Sequence, residues 1–339
     1  MSGAVEPVGW GVLGPGGVAQ QAVIPAIQAS GAGRVVAVAS RDRGRAADVA
    51  ARFGVPRAYG EYAALLADPA VEAVYVALPN HLHVPWTAAA ARAGKHVLCE
   101  KPLAPSAAAA AQAVVACEAA GVLLMEAAMY RFHPRMVRLH QLVREGLLGT
   151  PRLIHAAFGF PLAAGDNYRL RPEMGGGALL DVGLYVVSAA RWLAGAEPRS
   201  VLARAESWPP HGVDRLVAGL LEFSNGVLAT VQCSFDSAEH QLLEVVGRAG
   251  VARAPRAFTA WRGEAAPLYW RAADGEEREE VFEADPYAVM VEHFSRCVRG
   301  LELPRFSARD AEANLRTLDA LARAAISGRA ERPEVEASS

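Results

Sequence analysis

The residues best equipped for chemistry in this 339-residue chain stand in one triplet, Glu100-Lys101-Pro102, which closes the apolar run His96-Val97-Leu98-Cys99. At the carboxyl end of a parallel strand, residues point into the ligand crevice of an open α/β sheet. Pro102 restricts the residue before it, so Lys101 is held extended or in a turn, and a cis bond is within reach. A surface ion pair between Glu100 and Lys101 is the plain alternative. Composition speaks against it: Lys95 and Lys101 are the only lysines among 34 Lys and Arg residues. Arginine would serve a surface pair, but only lysine has a charge that can be tuned near neutral pH. A second polar pair, Asp181 and Tyr185, interrupts a helical pattern, Leu179–Leu193, that is otherwise apolar almost all round. Four residues apart, the two share a helix face. Asp181 also suits the helix dipole as a first-turn acid, and Tyr185 also suits a core. The run Gly175-Gly176-Gly177 before the helix permits a close approach, which favours a functional reading.

These groups need elements to position them. Short apolar runs (Trp10–Leu13, Val35–Ala39, Ala73–Leu78, His96–Cys99, Gly121–Met125) alternate with helical stretches, including the alanine-rich Ala107–Ala120. That pattern predicts a parallel sheet covered on both faces. Arg152–Phe160 reads as a strand, β-like runs lie close together from Val201 to Val246, and Ser224-Asn225-Gly226 marks a hairpin between two of them. The expected fold class is α/β, with a Rossmann doubly wound domain over residues 1–125. An α+β domain with an open, mostly antiparallel sheet follows over 126–339. Directly after the first run, Gly14-Pro15-Gly16-Gly17-Val18-Ala19 reads G-x-G-x-x-A. Such a turn brings backbone N–H groups and a helix N-terminus up to a dinucleotide pyrophosphate. An acid at the end of the second strand would bind an unphosphorylated ribose. Ser40-Arg41 stands there instead and suits a 2′-phosphate, so NADP is expected, with NAD possible.

Composition narrows the classes. A net charge of −2 leaves no cationic excess for a polyanion, so nucleic-acid binding is not expected. No metal site is expected either, because His81 and His83 lack a matching Cys or carboxylate set. Cys99, Cys117, Cys233 and Cys297 form no C-x-x-C pair and read as reduced thiols. The first residues lack a signal-peptide pattern, and no apolar run is seen to reach the roughly 20 residues that span a bilayer. A soluble cytoplasmic protein is expected.

Together these motifs resemble the glucose–fructose oxidoreductase / inositol dehydrogenase / MocA family, in the branch with tyrosine at 185. The resemblance runs through Gly14–Ala19, Leu78-Pro79-Asn80-His81-Leu82-His83, Glu100-Lys101-Pro102, Met129–Pro134, Gly175–Tyr185 and the closing Ser307–Gly328 segment. It implies a hydride transfer between NADP(H) and a sugar or polyol carbon. Gly14, Gly16, Gly17, Val18, Ala19, Ser40, Arg41, Pro79, Asn80, His83, Glu100 and Lys101 would lie along the cofactor. Lys101, Tyr185 and Asp181 would form the catalytic group. A phenol with a pKa near ~10 becomes a usable base when a lysine ammonium within about 4–6 Å favours its phenolate. Asp181 would orient the substrate or Lys101. Arg131, Phe158, Asn167, Tyr168 and Arg169 mix polar groups with aromatics and suit a polyhydroxylated ring. The family also implies a homodimer or homotetramer through the open sheet. Alternative readings are a reductase of nucleotide-linked keto-sugars, a trans-dihydrodiol dehydrogenase, or a non-catalytic dinucleotide-binding sensor. Two departures stand out. Pro15 replaces the usual threonine, and the chain reaches its glycine turn without an N-terminal arm, so an exchangeable cofactor is expected.

Overall fold

The computed structural model describes residues 6–163, 165–260 and 262–333. The chain forms two compact units. The first runs to Met129 and takes back Tyr287–Glu312; the second holds Tyr130–Pro286 and the chain from Ala313.

The first unit contains six parallel strands: β1 (Val8–Leu13), β2 (Gly33–Ala39), β3 (Arg57–Tyr59), β4 (Ala73–Val76), β5 (His96–Cys99) and β6 (Leu124–Glu126), ordered β3-β2-β1-β4-β5-β6. Helices α1 (Ile24–Ala29), α2 (Arg43–Phe53), α3 (Tyr62–Leu66), α4 (His83–Arg92) and α5 (Ala107–Ala120) connect them. Every residue of β1 and β4 is buried, as sheets covered on both faces require. The strand order reverses between β1 and β4, which opens a crevice beyond their carboxyl ends. In α5, the Ser106 hydroxyl accepts the Ala109 N–H, and Gly121 ends the helix at φ +67°.

One expectation needs correcting: residues 126–339 are not one domain. Helix α8 (Pro286–Val298) packs in the first unit, with Phe294 5.4 Å from Trp10, ring to ring. Trp10 Nε1 donates to Ser295 Oγ at 3.1 Å, and Arg299 pairs with Glu72 at 2.9 Å. The apolar and aromatic face of α8 has a complement on this sheet, so the chain returns to it.

The second unit is an eight-stranded sheet ordered β14-β13-β12-β11-β7-β10-β9-β8. Its strands are β7 (Pro151–Gly159), β8 (Pro198–Trp208), β9 (Val213–Phe223), β10 (Leu228–Ser234), β11 (His240–Gly247), β12 (Val251–Pro255), β13 (Ala266–Arg271) and β14 (Glu277–Phe282). Only β7 and β10 run parallel. The hairpin at Ser224–Gly226 joins β9 to β10, with Gly226 at φ +83°. Helices α6 (Pro134–Arg144) and α7 (Leu184–Ala194) pack on the sheet. Alternating positions carry Leu153, Leu202, Leu216, Leu220 and Leu228 out to solvent. Helix α9 (Ala308–Ser327) closes the chain. The 23-residue stretch Pro172–Ala194 is long and apolar enough to cross a membrane by length and composition alone, but 89% of its most apolar window is buried within the protein, as in a core helix.

Candidate active site

The glycine turn after β1 is shaped by its neighbours. Gly14 sits at φ +73°, and a Cβ there would meet Leu78 Cδ2 at 2.5 Å and the Ala77 carbonyl at 2.9 Å. Only glycine lets the ends of β1 and β4 come this close. At Gly16 a Cβ would meet nothing nearer than the Gly14 carbonyl at 3.8 Å, and at Gly17 nothing within 4 Å. That open space is what a pyrophosphate approaching backbone N–H groups needs. Ala19 is buried and opens a π-helical turn, Ala19–Val23, that leads into α1. At the end of β2, the Ser40 hydroxyl accepts the Asp42 N–H at 3.2 Å, and Arg41 is exposed. Asp42 caps α2 by accepting the Arg45 N–H at 3.1 Å, so the first acid after β2 is engaged by its own helix. These residues fit a dinucleotide.

The Glu100-Lys101-Pro102 turn, with a cis Lys101–Pro102 bond, is tied on both sides of the lysine. The Tyr75 hydroxyl donates to Glu100 Oε1, and Glu100 Oε2 accepts the Lys101 N–H at 3.1 Å. Beyond the proline, Glu126 Oε1 accepts the Leu103 N–H at 2.8 Å. His83 lies 2.7 Å from both the Pro102 and the Leu78 carbonyls, through its two ring nitrogens. This corrects the place expected for His83 beside the cofactor. Its ring is fully buried, and burial lowers its pKa, so the neutral ring donates its single N–H to one of these carbonyls, sits between the two turns and exposes no atom to a ligand. Asn80 is 3% exposed and opens the short turn after Pro79.

In the second unit, Tyr185 projects from α7 into an aromatic cluster. Its ring lies 5.5 Å from Phe158 and from Tyr130, and 5.8 Å from Phe258. Phe158 stacks on Phe258 at 5.6 Å, and the Tyr130 hydroxyl donates to Ser188 Oγ at 2.8 Å. Phe258 is carried on a loop that Arg135 holds by donating to the carbonyls of Pro255 (2.8 Å) and Arg256 (2.9 Å). Burial pulls the Arg135 guanidinium down to about 10. The cluster restrains the phenol and surrounds its ring with low dielectric.

Asp181 sits in a second π-helical turn, Leu179–Gly183, just before Tyr185. Such turns often mark functional sites. Its carboxylate accepts from Arg169 Nε at 2.7 Å, with the side chain 4% exposed. Burial alone would lower the Arg169 pKa. The charge of Asp181 outweighs this and holds it above its ordinary value, and Tyr168 and Tyr185 act in the same sense. Asn167 Oδ1 accepts the Arg169 N–H at 3.1 Å, and the guanidinium lies 4.8 Å from the Tyr168 ring. Phe158 thus stands against Tyr185, while Asn167, Tyr168, Arg169 and Asp181 form one group. Arg131 is buried and stacks over Trp192 at 5.2 Å, two helical turns along α7 from Tyr185.

The glycine run has a different purpose from the one expected. A Cβ at Gly177 would lie 2.4 Å from Asp214 Oδ1, and one at Gly176 would lie 2.5 Å from the Arg169 carbonyl. The close approach is therefore by the protein itself. Asp214 Oδ2 accepts the Leu179 N–H at 2.6 Å and so caps the helix from β9. The backbone of Arg169 presses against Gly176 and brings the guanidinium to Asp181. Sequence reading missed Asp214, Tyr130 and Phe258. Only Tyr130 lay in a motif already singled out.

Comparison with known proteins agrees with this arrangement. The family described as "Oxidoreductase family, NAD-binding Rossmann fold" matches residues 8–128, and the GFO/IDH/MocA C-terminal domain matches residues 136–253. The chain belongs to the GFO/IDH/MocA oxidoreductase family. Among its relatives in this family, a D-xylose 1-dehydrogenase (NADP(+)) of Haloferax volcanii is 44% identical over 95% of this chain and 98% of the relative. A dTDP-3,4-didehydro-2,6-dideoxy-alpha-D-glucose 3-reductase of Saccharopolyspora spinosa is 37% identical over 81% of each chain. The solved aldose-aldose oxidoreductase from Caulobacter crescentus, complexed with glycerol, superposes with a TM-score of 0.91 at 29% identity, covering 96% of this chain and 100% of that one. A 3-ketoreductase from Actinomadura kijaniata, solved with NADP and TDP-benzene, gives 0.87 at 32% identity, covering 94% and 98%.

Proposed function

We propose that this oxidoreductase uses NADP(H) to move a hydride between nicotinamide and a CH–OH or carbonyl carbon of a free sugar or sugar-like polyol. The observation that carries the proposal is Lys101, on the dinucleotide-binding unit, in a turn whose flanking groups are all tied down. The nicotinamide, when bound, supplies the hydride acceptor or donor. Gly14, Gly16, Gly17, Val18 and Ala19 hold the pyrophosphate. Ser40 and Arg41 take the 2′-phosphate, and the engagement of Asp42 as a helix cap supports NADP over NAD. Pro79, Asn80, Glu100 and Lys101 line the nicotinamide end. In oxidation, Tyr185 is the group that would accept the hydroxyl proton, and the Lys101 ammonium would steady the developing alkoxide. In reduction the proton moves back. Asp181 holds Arg169, whose remaining N–H groups meet a substrate hydroxyl.

Free sugars suit the second unit better than nucleotide-linked ones. Of the arginines on the loop before α7, Arg169 pairs with Asp181 and Arg171 with Asp166, so a substrate diphosphate would have to compete with those carboxylates. The exposed leucines of the eight-stranded sheet support a homo-oligomer joined through that face. The four cysteines, free and buried, support a reducing, cytoplasmic setting.

The test is absorbance at 340 nm with D-xylose and other aldoses, each against NADP+ and NAD+. NADP+ is expected to be favoured, and Arg41→Ala to weaken NADP+ alone by about 10- to 100-fold, the worth of a charge-assisted contact. Equal use of both cofactors by the wild type removes the 2′-phosphate assignment. Binding of NADPH without turnover on any sugar removes the enzyme reading.

A further inference from the structure

Tyr75 is the one polar side chain in β4, and it is completely buried. Its neighbours in the strand are Ala73, Val74 and Val76, and a phenylalanine would fill the same volume. A hydroxyl is costly in such a place unless it is bonded. It is bonded to Glu100 Oε1, on the adjacent parallel strand end, where Tyr75 pairs with Leu98 in the ladder. The other carboxylate oxygen of Glu100 accepts the Lys101 N–H at 3.1 Å, and the Glu100 N–H donates to the Val76 carbonyl at 2.9 Å. Glu100 is thus fixed at its backbone and at both carboxylate oxygens. Burial, with the charge of Glu100 behind it, pushes the Tyr75 pKa well above its ordinary value, so the phenol stays a donor at any working pH.

We propose that Tyr75 is a positioning residue for the reaction. It anchors the Glu100 carboxylate and thereby fixes the direction in which Lys101 leaves the turn. Tyr75 has no surface of its own, so it touches neither substrate nor cofactor. Without its hydroxyl, Glu100 loses a buried donor and the carboxylate is freer to rotate, so the turn it anchors no longer aims Lys101 in one direction.

The inference rests on the catalytic reading of Lys101, and a double-mutant cycle in the NADPH-loaded enzyme separates the two. Tyr75→Phe is expected to lower kcat by about 10-fold, roughly 1.4 kcal/mol of barrier, with the KM for sugar and the Kd for NADPH within about threefold. In a Glu100→Ala background the same substitution should change kcat by less than about twofold. Should Tyr75→Phe fail to fold, Glu100→Asp, which keeps the charge but withdraws it from Tyr75, should show the same loss. Equal losses from Tyr75→Phe in both backgrounds, or an unchanged kcat, overturn the proposal. In the control, Lys101→Ala should be inactive; full turnover there removes the lysine reading instead.

Discussion

The unit that carries Lys101 and the unit that carries Tyr185 fix their polar groups by different physics. Around Lys101, neutral donors bond carboxylates and carbonyls at the strand ends: Tyr75 to Glu100, the Leu103 N–H to Glu126, and the His83 ring set between two carbonyls. Around Tyr185, aromatic rings restrain the phenol, while an ion pair and a carboxylate cap fix the start of its helix. The first arrangement is short in sequence and rigid by valence. The second brings together residues from Tyr130 to Phe258 and depends on packing. A lysine needs to be aimed, and hydrogen-bonded turns aim it. A phenol needs its ring held in place, and a packed aromatic cluster holds it.

The sharpest way to break the contrast is to remove each reacting group in turn. Lys101→Ala should lower kcat by about 10³-fold, as loss of an electrostatic stabiliser does. Tyr185→Phe should lower it by about 10²- to 10⁴-fold, the worth of general acid–base catalysis, with NADPH binding intact by fluorescence titration. Near-normal turnover in Tyr185→Phe takes the phenol out of the mechanism. A smaller effect separates packing from chemistry. Gly177→Ala places a Cβ 2.4 Å from Asp214 Oδ1 at φ +112°, and should cost about 2–3 kcal/mol in chemical denaturation. Loss of Tyr185-dependent turnover should accompany it, because Asp214 caps the helix that carries the phenol. Unchanged stability would show that the cap gives way freely.

A third effect, of similar or smaller size, appears only in acid. His133 caps α6, its ring nitrogen accepting the Arg135 N–H at 3.1 Å. Burial first, and Arg135 second, hold its pKa down at about 4. The unfolded chain therefore binds the extra proton first. The stability contributed by His133 is complete above about pH 6.5 and is lost as pH falls from there to about 4. The loss should be about 2–3 kcal/mol by denaturant titration. His133→Asn keeps a cap acceptor and should flatten that slope; an unchanged slope assigns it to other groups.

The same reasoning explains why a catalytic-looking trio is inert. Cys297 Sγ lies 3.5 Å from His293 Nε2, and His293 Nδ1 lies 2.7 Å from Glu302. The Arg305 N–H already occupies Nε2 at 3.1 Å, and burial raises the thiol to about 11. A base whose lone pair is occupied cannot activate a nucleophile.

Legibility in the sequence follows sequence distance. The glycine turn, the strand runs β1, β2, β4 and β5, and the Glu100–Pro102 triplet were readable because each is local and each residue type has one plain reason to be there. β3 and β14 were not. β3 has three residues, and β14 (Glu277–Phe282) opens with four charged residues in a row at the edge of its sheet, so it lacks the apolar alternation of a strand. Asp181 and Tyr185 were visible as a pair, but the partner of Asp181 was not, because Arg169 lies 12 residues upstream in a loop without periodicity. Asp214 and Phe258 sit in a strand and a loop where nothing local marks them. Their importance arises only when the sheet folds.

The second lysine has a consequence of its own. Lys95 Nζ donates to the Asp68 and Val71 carbonyls at 3.0 and 2.7 Å, contacts suited to a compact ammonium. With that amine engaged, the chain carries a single further side-chain amine, and it sits where the nicotinamide end of the cofactor is proposed to lie. Limited reductive methylation followed by mass spectrometry would then read cofactor occupancy directly, since the dinucleotide would shield one amine and leave the other unchanged.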